Sequence, residues 1–159
     1  MKAVLISIQP PHTTNIFNEI KGIEWRTKPI PAGKQYVYET KNGGGVGKVI
    51  GECTFWRVKR YENVSFVPEG HIDAGCVPYE FLAEYSKGKP LYAHFIVNAK
   101  RYEKPLPLSA FRRPCVNELY CENCGMHSEN TGTCGNMALQ LTRPPQSWCH
   151  VEELKNAVT

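Results

Sequence analysis

The sequence has no apolar run long enough to cross a bilayer: its longest, residues 3–8 (AVLISI), is six residues, where a spanning helix needs about twenty. The same run follows a single lysine and stops at Pro10-Pro11 without small residues behind it, so it reads as a buried strand rather than a secretory leader. The cytoplasm is therefore the expected location. Internal repeats and low-complexity linkers are also missing, which leaves nothing to mark a second domain and makes residues 1–159 one expected unit. His12, His71, His94 and His150 lie far apart in the chain, with no Ser/His/Asp or Cys/His arrangement to suggest nucleophilic catalysis. Finally, seven cysteines are an odd number, which in an unexported chain argues against a disulfide framework and for thiols, some of them metal ligands.

What is present is ordinary for a soluble globular protein. Of 159 residues 42% are hydrophobic and 21% charged, and a chain of this size buries about two-thirds of its unfolded surface, so it needs no staples. The net charge of +4 is unevenly spread. Up to Glu62 there are ten basic side chains against five glutamates, a local excess compatible with a phosphate-bearing partner.

Residues 3–8 suit a strand covered on both faces. Pro10 and Pro11 suit a first helical turn, and Ile16, Phe17 and Ile20 define a short amphipathic helix that Gly22 ends. Residues 23–26 follow with period two, which puts Ile23 and Trp25 on a core face and Glu24 and Arg26 on the other. A turn at Pro29, Pro31 and Gly33 leads to a strand at 36–40, a loop at 42–45 and a long strand at 46–61. In that strand Gly47 and Gly51 are places for a bulge or a close backbone approach. Residues 78–86 predict a second helix with Phe81, Leu82 and Tyr85 on one stripe; a strand at 92–102 follows, which Pro105 and Pro107 end. Residues 138–142 and 148–151 each predict a further strand. Two short helices among five to seven strands predict an α+β, mainly β fold, a small β-barrel with helical caps.

A cysteine-rich loop at 115–134 precedes the last strands and holds Cys115, Cys121, Cys124 and Cys134 with spacing C-x5-C-x2-C-x9-C. The C-x2-C pair lets two thiolates converge on one ion, with Gly125 freeing the turn, and two more sulfurs complete a tetrahedral structural zinc site. His127 is an alternative fourth ligand, and plain reduced thiols are the competing reading. A redox C-x2-C is disfavoured, since no strand precedes the pair and no helix follows it. Cys53, Cys76 and Cys149 stand apart and read as buried thiols.

Four stretches, Ser7-Ile8-Gln9-Pro10, Lys21-Gly22-Ile23-Glu24-Trp25-Arg26, Gly47-Lys48-Val49-Ile50-Gly51-Glu52 and Arg143-Pro144-Pro145-Gln146-Ser147-Trp148, together resemble ASCH-domain proteins. The likeness runs through nearly the whole chain and is closest to the small bacteriophage and bacterial members, whose cysteine loop before the final strand is also similar. It implies a PUA-like β-barrel with a cleft on one side and an RNA- or modified-nucleotide-binding module. Some small bacterial relatives are amidohydrolases that deacylate N4-acetylcytidine through a lysine, a threonine three residues later and a distant glutamate. Lys21 matches that lysine, but Glu24 stands where the threonine would be, so the hydroxyl nucleophile is missing. Glu62, Glu80 and Glu84 are the unranked candidates for the distant acid.

From the residues themselves, Glu24 and Arg26 stand about 7 Å apart on one strand face, fit either to pair with each other at the surface or to contact a polar ligand at two points. A carboxylate accepts from an exocyclic amine, while a guanidinium or ammonium meets phosphate or carbonyl, the polarity that a nucleobase derivative needs. The expected ligand cleft comprises Ser7, Gln9, Lys21, Glu24, Arg26, Gln146 and Ser147, with Lys21 and Glu24 as the catalytic pair of the alternative, enzymatic reading. A third reading is a phage factor acting on host proteins.

Overall fold

The computed structural model describes residues 2–115, 127–128 and 133–156. Strand β1 (Lys2–Ile8) shows why its sequence is almost unbroken in apolar residues. Ala3 and Leu5 enter one core with Tyr36, Tyr38, Phe111 and Val151, while Val4, Ile6 and Ile8 enter a second with Ile16, Val37 and Phe55. Alternate side chains of one strand thus feed two cores, and neither face is left for water.

Helix α1 (His12–Phe17) is shorter than its apolar spacing predicts. The chain leaves the helix at Asn18, Glu19 takes φ 58°, and the N–H groups of Ile20 and Lys21 both donate to the carbonyl of Asn15. This turn sends Ile20 out to solvent, where it is 62% exposed, and brings Lys21 inside. Strand β2 (Ile23–Arg26) then follows, with β3 (Gly33–Glu39) and the long β4 (Lys48–Tyr61). The close approach expected at Gly51 is present: a Cβ there would come within 2.5 Å of both the Phe17 ring and the Lys100 carbonyl oxygen.

Helix α2 (Glu69–Ala74) has no predicted counterpart, since a glycine interrupts it and it buries no residue completely. Its readable signal is the Pro68-Glu69 start, a proline and an acid where a first turn favours them. Helix α3 (Tyr79–Ser86) lies where the sequence predicts one, yet only Leu82 of the expected stripe is buried; Phe81 and Tyr85 are 52% and 38% exposed. Strand β5 (Leu91–Leu106) runs past the expected stop because the register against β4 shifts between Arg101 and Leu106, which accommodates Pro105 where no ladder bond is needed. A second shift lies beside Asn98, at φ 53°. Residues 138–142 do not form the expected strand: Met137–Leu139 is a 3-10 turn, and the extended pairing reduces to one bridge between Arg112 and Gln140. Strands β6 (His127–Ser128) and β7 (Thr133–Cys134) make a separate small hairpin, and β8 (Trp148–Glu152) closes the chain's sheet.

The main sheet has the order β2-β5-β4-β3-β1-β8, with β1 parallel to β3 and every other pair antiparallel. Beneath α2 and α3 a third core gathers Ile23, Trp25, Tyr61, Val64, Leu82 and Leu91. The fold is α+β and mainly β, as the sequence predicts, with three α-helices among the described residues instead of two. Among those residues, no helix is long and apolar enough to cross a membrane.

Candidate functional site

The turn after α1 and the two-residue period of β2 decide where three charges go. Lys21 is 3% exposed and Glu24 7%, so the surface ion pair allowed by the sequence is instead a buried network. Arg26 donates from Nε to Glu24 Oε1 at 3.0 Å, and its Nη2 lies 3.0 Å from the same oxygen. Lys21 Nζ lies 3.5 Å from Glu24 Oε2 and donates to the carbonyl of Gly75, at the end of α2. A side chain at Gly75 would place its Cβ 2.2 Å from Trp25 Nε1, so a glycine there is what lets the helix end approach closely enough to hold the lysine.

Arg26 also reaches across the fold. Its Nη2 donates to the Ser7 carbonyl at 2.9 Å and its Nη1 to Ser147 Oγ at 3.3 Å, while the Ser7 hydroxyl donates to the Pro145 carbonyl at 2.7 Å. The first and last strands meet here: β1 pairs with β8, and Ser7 N–H donates to the Ser147 carbonyl at 2.9 Å.

Behind the network stands His94, fully buried and opposite Glu24 in the β2–β5 register. The Ile30 N–H donates to its Nε2 at 2.9 Å, and its Nδ1 lies 3.0 Å from the Glu24 carbonyl. A backbone N–H can only donate and a carbonyl can only accept, so the ring is the neutral Nδ1–H tautomer.

These elements frame a cleft of about 300 Å³, small by the standard of ligand sites. Its polar side carries Ser7, Gln9, Lys21, Glu24, Arg26 and Gln146, six of the seven residues expected from the sequence. Ser147 does not line it and acts through its contact with Arg26. The sequence reading missed His12, Thr40 and Asn42 on the same side, and the apolar wall of Val77, Phe81, Leu82 and Tyr85. The Phe81 and Tyr85 rings stack on each other, 6.0 Å apart and 13° from parallel. Trp25 belongs to the core, as expected, but one part of it also reaches the cleft.

Glu24, Lys21 and Arg26 leave the cleft floor with one net positive charge. Burial is the largest influence on Glu24 and opposes its ionisation, but Arg26, then Lys21, then His12 outweigh it and hold its carboxyl below the ordinary range. Burial and the charge of Lys21 lower the pKa of His12, and its buried Nδ1 has no hydrogen-bond partner. The cleft therefore offers a neutral imidazole, a fixed guanidinium, an ionised carboxylate and an aromatic wall. Chemically this suits recognition of a flat, polar heterocycle: stacking on one side, and donors and acceptors on the other. Glu80 and Glu84 are exposed on α3 outside the lining, and Glu62 pairs with Arg60 at the surface.

Of the expected metal ligands, Cys121 and Cys124 lie outside the described residues. Cys115 is described, as a half-buried free thiol, and His127 stands opposite Cys134 in the β6–β7 register. Among the described residues no three His, Cys, Asp or Glu side chains converge as a metal site. Cys53 is buried and its thiol is pushed up to about 12, whereas Cys76 and Cys149 are only half-buried, short of the burial expected of them.

No family model matches the sequence, and no curated protein does. Among solved structures the chain is similar to the ASCH protein of Zymomonas mobilis, with a TM-score of 0.62 and 17% identity, covering 92% of this chain and 85% of that one. A tyrosine-to-phenylalanine variant of that protein superposes with a TM-score of 0.63 at 17% identity, covering 94% of this chain and 89% of that one. The chain shares the fold of that ASCH protein, and at this identity the likeness speaks for the fold alone.

Proposed function

We propose that the protein binds RNA or a modified nucleotide through a nucleobase held in this cleft. The observation that carries the reading is the pairing of a buried Lys21–Glu24–Arg26 network with an exposed, stacked Phe81–Tyr85 wall around one small space. Desolvating the charges of Lys21 and Glu24 is costly, and a packed apolar floor would have been at least as stable, so the network points to recognition rather than to stability. Exposed aromatic rings beside it supply stacking, worth about 1–3 kcal/mol per base. Titration calorimetry with nucleosides, base-modified ones included, and with single-stranded RNA tests this. Binding is expected to weaken about tenfold in Tyr85→Ala and Phe81→Ala and to be lost in Arg26→Ala. No detectable affinity for any of these ligands would sink the reading.

A second reading, hydrolysis of an acylated exocyclic amine on a cytidine-type nucleoside, draws support from His12. Its imidazole lines the cleft and its lowered pKa keeps it neutral at neutral pH, the state a general base requires. Both oxygens of Glu24 are engaged by Arg26 and Lys21, which suits it to orientation more than to proton transfer. Release of free cytidine from N4-acetylcytidine, abolished by Lys21→Ala and by His12→Ala, is the expected sign; no release leaves the protein a binder.

We also propose that the loop of Cys115, Cys121, Cys124 and Cys134, with His127 as the alternative ligand, holds a structural zinc. The hairpin register that sets His127 opposite Cys134 supports it. About one equivalent of zinc by elemental analysis of untagged protein is expected, and less than about a third would end the claim.

A further inference from the structure

The cleft does not stop at the base-sized space. Ser7, Thr40, Asn42 and Gln146 are shared with a second groove of about 460 Å³, which continues past them to Lys41 and to a wall formed by Pro144 and Pro145. The two spaces therefore lie side by side, with these four residues bordering both.

The charges of the two spaces differ in availability. Lys21 is held by Gly75 and Glu24, and Arg26 by Glu24, Ser7 and Ser147. Neither can turn to a phosphate without uncovering a buried carboxylate. Lys41 is exposed, lines the second groove, and has no carboxylate partner among the described residues.

The loop that carries Lys41 is also held in place. Thr40 N–H donates to the Ile8 carbonyl at 3.0 Å, Gly44 N–H to the Lys41 carbonyl at 3.1 Å, and Gly47 N–H to the Glu39 carbonyl at 3.0 Å. The buried Glu39 carboxylate ties the same loop to α1: it accepts from Val46 N–H at 3.1 Å and from the Thr13 hydroxyl at 2.5 Å. The Lys41 ammonium and the Asn42 amide are thus presented on a braced loop at the exit of the cleft, while the Thr40 hydroxyl donates within the loop to the Asn42 carbonyl at 3.3 Å; the ammonium and amide suit phosphate oxygens.

We propose that the second groove receives the phosphate of the ligand whose base occupies the cleft. The protein then takes a nucleotide, free or within a single strand, in preference to a nucleoside. This rests on reading the cleft as a base pocket. Calorimetry at low salt should compare ribonucleosides, their 5′- and 3′-monophosphates and a short single-stranded RNA, on the native protein, on Lys41→Ala and on Lys104→Ala. Lys104 is exposed and lines neither groove, so it controls for overall charge.

One of the monophosphates is expected to bind roughly fivefold more tightly than its nucleoside. Lys41→Ala should erase that difference while leaving nucleoside affinity unchanged, and Lys104→Ala should preserve it. RNA binding more tightly than either monophosphate identifies the strand as the source of the phosphate, and the reverse order identifies the free nucleotide. Nucleosides binding as tightly as nucleotides, or a difference that survives Lys41→Ala, overturns the phosphate groove while leaving the base pocket standing. If nothing binds, the base pocket falls and the groove with it.

Discussion

His94 is the residue on which the site's geometry leans, because it fixes the backbone of Glu24 from behind while staying uncharged. A second proton on Nε2 would face the Ile30 N–H, donor against donor, and burial already lowers the pKa below the ordinary 6.5. Below about that pH the unfolded chain takes up a proton that the folded chain refuses, so stability falls as the solution is acidified from neutrality. Glu24 adds a loss at lower pH: its folded pKa lies under the ordinary 4.5, so the stability it contributes is present above that value and disappears as pH falls through the folded one. Denaturant midpoints should therefore drop between pH 7.5 and pH 5.5. In His94→Gln, whose amide can make the same two contacts, the decline over that window should be shallower even though the variant is less stable at pH 7.5. Parallel declines in both proteins would remove His94 from this role. Neither histidine of the site was legible in the sequence. His94 and Glu24 are seventy positions apart and meet only through the β2–β5 register, and His12, at the first position of α1, shares the cleft with Lys21 and Glu24 only once the chain is folded.

Elements show a different division between what spacing reveals and what it hides. Phe81 and Tyr85, four residues apart on α3, lie within about 40° of each other around the helix, and Leu82 lies about 100° from Phe81. Spacing can thus group the three on one broad stripe, but it cannot say which part of that stripe meets the core. The helix is eight residues long and buries Leu82 against Trp25 and Tyr61, while the two rings face the cleft. Stability and binding should therefore separate on this helix. Leu82→Ala is expected to cost about 3 kcal/mol of unfolding free energy, and Phe81→Ala or Tyr85→Ala less than about 1 kcal/mol, even though all three remove a large apolar side chain. Equal losses at the three positions, measured by chemical denaturation, would put the aromatic pair back in the core. By contrast β2 was fully legible: four residues with strict alternation allow only one division of faces, and Glu24 and Arg26 point where that division puts them.

At the scale of the whole molecule, the six-stranded sheet has β2 and β8 as its two edges, and the ladder of backbone bonds does not join them. The join is made by a side chain. Arg26, on edge strand β2, bonds to the Ser7 carbonyl of β1 and to Ser147 just before β8. The sequence foretold a barrel and a charged cleft as separate features; it could not show that one guanidinium serves both, since the partners lie 19 and 121 positions away. A planar fork can hold Glu24, Ser7 and Ser147 together, whereas an ammonium in the same place is a single point of charge. Arg26→Lys should therefore keep a cation beside Glu24 while opening the seam. Native-state hydrogen exchange is expected to speed up about tenfold at the amides of β2 and at Ser7, with the central β4–β5 ladder unchanged. A uniform acceleration over the sheet would mean that Arg26 contributes only general stability, and unchanged exchange at β2 would mean that the barrel closes by apolar packing alone. Local opening at β2 would tie closure to function, because the bonds that seal the sheet are the same bonds that fix the floor of the cleft.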